Sequence, residues 1–578
     1  MLQFFKRSDT NDHLTMSAIA VVIGLMVGYG AILFRTLIEL FQFLFMGSGS
    51  ENLLQVVANL HWSNVLLAPV VGGLIIGPLV HFLFPGSRGH GVPEVMSAVA
   101  LQGGKMKMRD GVGKMIACSL SIGCGGSVGR EGPVVHLGAT IASWFGQRLH
   151  MSTKHMRTMV GCGAAAGIAA SFNAPIAGVM FALEVVLADY GLATFSPIVL
   201  SSVIATIIAR AHLGDFPAFT VPHYQLVSVW EIPAYIGLGV LCGLTGILFM
   251  KALFKSEDLF KKIPIPIYMK PVVGGFILGS VALVFPQVLG VGYDVMNMAL
   301  LEGMAGPLMI GLIAVKIFAT SATLGSGFSG GVFTPSLFLG AVVGGGFGTY
   351  AHALFPAISA GSGAYALVGM GAMAAAVLGA PIASILILFE LTGDYRIMLP
   401  LMVTSIVATV MINQVYRDSV YTRALRRKNI DLRSGRETRL MRDLTVSSIM
   451  HHRFEKIPDS MSIRALKEKI RFTNEDNFLV VNNEDRLAGI LSFQDLRGIA
   501  FEEGLEDLVL VRDVATLKVV TVTPLDNLFD AFSRMNARNV EQLPVVAANN
   551  PAEILGIITN HDIIRAYNKA LLEQSPSA

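Results

Sequence analysis

Three short stretches carry residue types suited to holding an anion: Gly89-His90-Gly91-Val92-Pro93, Gly129-Arg130-Glu131-Gly132-Pro133 and Gly331-Val332-Phe333-Thr334-Pro335. Each ends in a proline that fits the first turn of a helix, behind glycines that let the backbone turn tightly. The pattern predicts three helix N-termini, each offering open N–H groups and a positive dipole end to an anion. Partial charges of this kind release their ligand, whereas full cationic side chains would hold it too tightly for throughput. The competing reading makes each stretch a Gly-Pro kink in packed helices; three in one chain argue against it. The residues assigned to an anion on this basis are His90, Gly91, Val92, Arg130, Glu131, Gly132, Val332 and Phe333.

Glu131 stands out among them. An ionised carboxylate beside an anion site competes for the same N–H groups and blocks it; protonated or swung aside, it opens the path. A carboxylate within a membrane is costly and by default functional. The bland alternative is a structural ion pair with Arg130. Other chemistry fares poorly. Gly125–Gly129 and Gly327–Gly331 match the G-x-S-x-G nucleophile pattern by letter, but that pattern has meaning only on a strand-to-helix turn, and both copies lie in glycine-rich apolar segments. Cys118, Cys124, Cys162 and Cys242 form no CxxC and read as small buried thiols. No metal-ligand triad appears, and an enzyme is not expected.

The elements that must position these residues are apolar. Mean hydropathy is +0.61, with 53% apolar residues, far from a soluble average. The 148 positions from Asp431 onward hold 40 of the 83 charged residues, so a long apolar block precedes an ordinary soluble domain. The boundary is expected near the basic run Arg423–Lys428 and the polar stretch Asn429–Arg439, giving a membrane domain over 1–430 and a soluble domain over 431–578. Met1–His13 reads as a short cytoplasmic leader rather than a cleaved signal. Leu14–Phe45, Val65–Phe84, Thr194–Ala211 and Tyr235–Phe254 approach the about 20 residues needed to cross a bilayer. Pro271–Phe285, Pro307–Ala319 and Met398–Ile412 are shorter. Met115–Gly146 and Thr320–Phe347 are apolar but interrupted, and backbone freed there must be satisfied by protein or a water-filled cavity. No basic run interleaved with aromatics suggests nucleic acid.

The block repeats itself. Gly129–Ala139 and Gly161–Glu184 are echoed by Gly330–Ala341 and Gly369–Glu390, with a glutamate nine residues after each Ala-Pro proline: Pro175 to Glu184 and Pro381 to Glu390. Two similar interrupted halves point to a site at their interface; the residues leave parallel and inverted arrangements open. Glu184 and Glu390, so symmetrically placed, suggest capping or interface roles. The tail also repeats: Val446–Met450 is echoed by Val511–Ala515, and Gly489–Asp495 by Gly556–Asp562, as a small α/β module present twice.

With these motifs quoted, the chain resembles the CLC family of chloride channels and chloride/proton exchangers, and its tail resembles the paired CBS module (about 444–502 and about 509–570) that many members carry. The resemblance implies an α-helical multi-spanning fold, an inverted repeat of about eighteen helices, followed by an α/β CBS pair. It further implies a homodimer with one pore per subunit in the lipid bilayer of the cell (inner) membrane, a cytoplasmic tail, chloride as bound ligand and no required cofactor. By resemblance Glu131 is the gating glutamate. Tyr421 falls where the family places a hydroxyl on the central anion, beside the N–H groups of Val332 and Phe333; its other reading is an interfacial aromatic. Ser492, Asp495, Thr559 and Asp562 sit where CBS modules take an adenine nucleotide, or serve as scaffold. Two departures matter. His90 replaces the usual serine, bringing pH sensitivity or pointing away from the anion. Val185 replaces the exchangers' proton-relay glutamate, which favours a gated passive channel over an exchanger. A metabolite transporter or magnesium sensor is disfavoured, because no intramembrane acidic cluster appears.

Overall fold

A computed structural model of the chain describes residues 9–49, 53–215, 227–428, 444–471, 477–496, 508–517, 519–538 and 540–574, together with 219, 222, 224, 430, 441 and 473. The chain divides into two compact units, Met1–Asp431 and Leu432–Ala578. Most of the expected polar boundary, Asn429–Arg439, lies outside the described residues, as does the start of the expected leader; its last residues already belong to a helix that begins at Asp9.

The first unit is helical. Its elements are α1 (Asp9–Met46), α2 (Leu53–Ala58), α3 (Trp62–Pro78), α4 (Val92–Leu101), α5 (Met108–Gly123), α6 (Glu131–Arg148), α7 (Thr153–Phe172), α8 (Pro175–Phe181) and α9 (Leu192–Leu213). There follow α10 (Ile232–Lys262), α11 (Lys270–Ala282), α12 (Tyr293–Leu300), α13 (Gly306–Ser326), α14 (Phe333–Leu354), α15 (Ser362–Leu378), α16 (Pro381–Thr392), α17 (Met398–Val415) and α18 (Val420–Arg426). Seven segments among the described residues are long and apolar enough to cross a membrane, α1, α3, α9, α10, α13 and α14 within them. The interrupted stretches resolve as expected from their glycines: α5 and α6 flank one break, α13 and α14 the other.

The repeat governs the packing. α6 lies on α7, and α14 on α15. The approach is close because glycines face glycines: a Cβ at Gly138 or Gly163 would overlap the other's carbonyl, and so would one at Gly340 or Gly369. These four positions are equivalent in the two halves, each glycine of α6 and α14 lying five residues after its proline. Small residues are how membrane helices gain van der Waals contact in the absence of a hydrophobic drive.

The two halves also cap one another. Glu184, in the π-helical turn Ala182–Leu187 that continues α8, accepts from the N–H groups of Ile382 (3.2 Å) and Ala383 (2.8 Å) at the start of α16. Glu390, on α16, accepts from Ile176 (2.9 Å) and Ala177 (2.7 Å) at the start of α8. Each carboxylate thus satisfies the orphan donors of the partner helix and meets its positive dipole end. This is the capping arrangement that the symmetric spacing suggested.

In the second unit, β1 (Lys456–Pro458) pairs in parallel with β2 (Asn477–Val481), which pairs antiparallel with β3 (Leu487–Ser492); β4 (Gln542–Ala547) pairs antiparallel with β5 (Asn550–Thr559). Helices α19 (Ile463–Ile470), α20 (Phe493–Leu496), α21 (Val511–Val514), α22 (Leu528–Arg538) and α23 (Asn560–Gln574) complete it. The two copies exchange their leading segments. His451 pairs with Ile557 of the second copy (N···O 2.9 and 3.0 Å), and Thr516 pairs with Ile490 of the first (2.9 and 3.1 Å).

Removing one of the crossed caps exposes two backbone donors. Glu390→Ala is expected to lower stability by about 1–2 kcal/mol and Glu390→Gln by less, with anion selectivity unchanged; thermal unfolding in detergent and a flux assay check both parts.

Candidate anion site

The centre of the membrane unit is a two-residue antiparallel bridge. Gly129 donates to the Gly331 carbonyl (2.8 Å) and Gly331 to that of Gly129 (2.7 Å). Both lie four residues before their proline, so the bridge joins equivalent residues across the two-fold relation of the halves. It holds the N-termini of α6 and α14 side by side. The loop before α4 closes on them. A Cβ at Gly132 would overlap the His90 carbonyl and stand 3.3 Å from the Gly331 Cα. Gly91, at φ +96°, lies against the Gly132 carbonyl, and a side chain there would meet both obstacles. All three predicted helix starts therefore meet at one place.

Glu131 is the first residue of α6 and is 1% exposed. Its carboxylate folds back over Gly129, where a Cβ would come within 2.7 Å of Oε2 and 3.1 Å of the Thr334 N at the start of α14. Its oxygens face the Thr334 N–H and hydroxyl at the start of α14 and its own N–H, without closing a well-formed hydrogen bond to any of them. Arg130 sets its guanidinium over the Tyr293 ring, 5.1 Å from the centroid; the Glu131 oxygens take no hydrogen bond from it. Val332 and Phe333 are buried at the start of α14, the Phe333 ring against Phe172 at 5.2 Å. Their N–H groups precede the helical hydrogen-bonding register and have no acceptor within the helix.

Tyr421, 2% exposed, is on α18, which packs against α4 and α15. Ser419 caps that helix, and the fully buried Asp418 anchors it by an ion pair to Arg426 at 2.8 Å. The phenol lies within electrostatic reach of Glu131.

The loop before α4 departs from expectation at two points. The Gly91 N–H is not open to an anion: it donates to the Glu94 carboxylate of its own helix at 2.8 Å. The His90 ring is not aimed at Glu131: Nε2 pairs with Glu257 Oε1 on α10 at 3.2 Å, while Nδ1 is buried without a partner. Val92 opens α4 at 1% exposure. Glu257, 167 residues from His90, could not be foreseen; Glu94, three residues from Gly91 in capping-box spacing, could.

Lys114 was not anticipated. Wholly buried on α5, its ammonium donates to the carbonyls of Ser87 (2.7 Å) and Gly89. Glu94, which feels its charge, also pairs with Lys428 at 2.8 Å. Lys114 thus ties down carbonyls of the loop and places a cation behind the α4 N-terminus. Lying four residues after Asp110, at the edge of the apolar stretch that begins at Met115, it gave little signal in sequence.

In the tail, Asp495 accepts from the Ser492 N–H and hydroxyl (both 2.8 Å), and Asp562 from the Thr559 N–H (3.0 Å) and hydroxyl (2.6 Å). Each pair closes a strand-to-helix turn in its copy. His451 adds a bond to Asp562 at 2.8 Å. Burial alone would raise the Asp562 carboxyl; donation from Thr559 and His451 outweighs it and holds the group below the usual carboxylate range. No group of three metal-ligating side chains occurs among the described residues.

Comparison with known proteins places this geometry. Residues 72–413 match the family described as voltage gated chloride channel, and residues 446–502 and 511–569 each match the CBS domain. The chain belongs to the CLC family. It is 37% identical over 420 residues to a putative chloride channel protein ClcB-like of Ralstonia nicotianae, covering 72% of this chain and 98% of the relative. Among solved structures, a slow cyanobacterial Cl-/H+ antiporter superposes with a TM-score of 0.65 at 26% identity, over 72% of this chain and 97% of that one. A eukaryotic CLC transporter shares the fold over 95% of this chain and 98% of its own, with a TM-score of 0.63 at 20% identity. This CLC protein is thus a multi-pass membrane protein with a CBS pair.

Lys114→Met would leave Glu94 with one cation fewer and strip the loop carbonyls of their donor. The expected cost is about 3–5 kcal/mol, that of breaking a buried charge pair, visible as a lowered unfolding temperature in detergent; Lys114→Arg is expected to retain part of it.

Proposed function

We propose that this chain conducts chloride passively across the cell membrane, with Glu131 as its gate. The observation that carries the reading is a buried carboxylate set against the Thr334 N–H and hydroxyl, where the N-termini of α6 and α14 are held together. That environment suits a negative charge, and the side chain stands where an anion would be favoured. Neutralised by a proton or swung out, it ceases to compete, so conduction opens with acid or with a voltage that displaces it. Val332, Phe333 and Gly132 supply backbone donors, Tyr421 a neutral hydroxyl. Arg130 lines a cavity of about 210 Å³ together with Arg35 and Arg210, the latter two ion-paired with Glu39 and Asp215.

Passive conduction is favoured over exchange by residue 185. Val185 is 6% exposed and apolar, and the adjacent Glu184 is committed to capping α16; neither is placed to shuttle protons. The second reading, chloride/proton exchange, draws support from the name of the cyanobacterial antiporter whose fold this chain shares. The protein works as a homodimer with its tail in the cytoplasm. An adenine nucleotide binds the CBS pair at Thr559 and Asp562, where His451 competes for the carboxylate.

Reconstituted into liposomes, the wild type is expected to show a chloride reversal potential that ignores an imposed proton gradient; a shift with that gradient would establish exchange instead. Glu131→Ala is expected to raise chloride efflux at neutral pH and blunt its response to acid, and undiminished pH dependence in that variant would remove Glu131 as the gate. Nucleotide titration of the full chain is expected to show affinity lost in Asp562→Ala and strengthened several-fold in His451→Ala.

A further inference from the structure

A second cavity, of about 430 Å³, lies at the end of the membrane unit where α10 finishes. It touches loops of both halves: Gly89 and His90 from the first, and Gly327, Phe328 and Ser329 from the second. Two polar atoms on its lining residues are buried without a partner, His90 Nδ1 and Ser329 Oγ, in residues 8% and 4% exposed. Glu257, on the facing wall, holds the other ring nitrogen of His90.

We propose that His90 and Glu257 form a proton-binding pair whose charge sets how readily an anion enters the conduction path from this cavity. Arg88, Lys261 and Lys270 share the cavity lining as cations, and the charge of the pair adds to theirs. Glu94 on α4 is answered by Lys114 of α5 and by Lys428. Asp258, beside Glu257 on α10, is answered by Arg427. Lys270 of α11 donates to the carbonyls of Phe260 and Lys261; Arg88 is bonded to His81. Arg427 and Lys261 also act on Glu257 electrostatically.

With the imidazole neutral, the pair carries one negative charge on the cavity wall, beside loops that lead to the Gly129–Gly331 bridge. That charge opposes an incoming chloride. One added proton gives an imidazolium paired with a carboxylate, net zero, and the opposition disappears. Anion entry and protonation are then linked, and acid favours the anion. The residue that distinguishes this chain's first glycine motif thereby supplies a pH response separate from the gate. The inference rests on the anion route proposed above, but not on Glu131 being the gate.

The test uses the full chain in liposomes, with Glu131→Ala as background so that the gate contributes no pH dependence, and the same pH on both sides. Chloride efflux is expected to fall about fivefold between about pH 5 and about pH 8. Adding Glu257→Gln, nearly isosteric, should raise efflux at about pH 8 to the level the background shows in acid, because the negative charge is gone while His90 is neutral. Adding His90→Gln should hold it at the alkaline level, because Glu257 keeps its charge without a cationic partner. Opposite displacements by the two variants support the pair, since a merely structural defect would move both the same way. Efflux at about pH 8 left unchanged by Glu257→Gln, or displacement of both variants in one direction, overturns it. Should Glu131→Ala fail to open the path, the gate reading falls. The same two variants compared in the wild-type background then decide the pair by the same criteria.

Discussion

The structure depends on one constraint: backbone amides inside a bilayer must find partners, and the few that do not must face something anionic. The Gly129–Gly331 bridge meets the first half of that condition by pairing the two glycines with each other. The second half falls to the first N–H groups of α6 and α14, which the bridge holds together with no acceptor in their own helices. Glu131 and, in the proposed cycle, chloride are alternative answers to the same demand. Symmetry makes it economical, because one local solution, used twice in related halves, creates a concentrated patch of partial positive charge at the junction.

The same rule explains the polar residues surrounding the junction. Glu184 and Glu390 answer the amides of α16 and α8, each crossing into the other half, so neither helix start competes for the permeant ion. Glu94 does so for Gly91 within its own helix. Lys114 works in the other direction, satisfying carbonyls that the turn before α4 turns inward. Two of the three converging helix starts therefore keep their donors available, while the third is largely self-satisfied and contributes position, its backbone wedged against Gly132, more than open amides at Gly91.

The tail shows the exchange of segments at a second scale. His451 and Thr516 each complete the sheet of the other copy, which makes the two modules one folding unit. One consequence is an asymmetry invisible in either copy alone: His451 adds a side-chain bond to Asp562, whereas Thr516, its equivalent by position, is a threonine bonded through its backbone to Ile490.

By itself the sequence determined a good deal. Apolar length, the Gly-Pro motifs, the duplicated Ala-Pro-to-Glu spacing and the change in charge density near Asp431 are local properties, and they sufficed for the helical membrane unit, its repeat, the family and the residues at the junction. Tertiary structure decided whatever depends on distant partners. The spacing of Glu184 hinted at capping, but only the fold showed that it caps the other half. His90 read either as acting on the anion or as pointing away, and Glu257, far along the chain, holds it; Gly91 is closed by Glu94 three residues on, a local cap that its spacing already offered. Lys114 had no visible partner in sequence because its partners are backbone carbonyls, which every residue possesses. Local pattern fixes which groups must be satisfied; only the packed chain decides by whom.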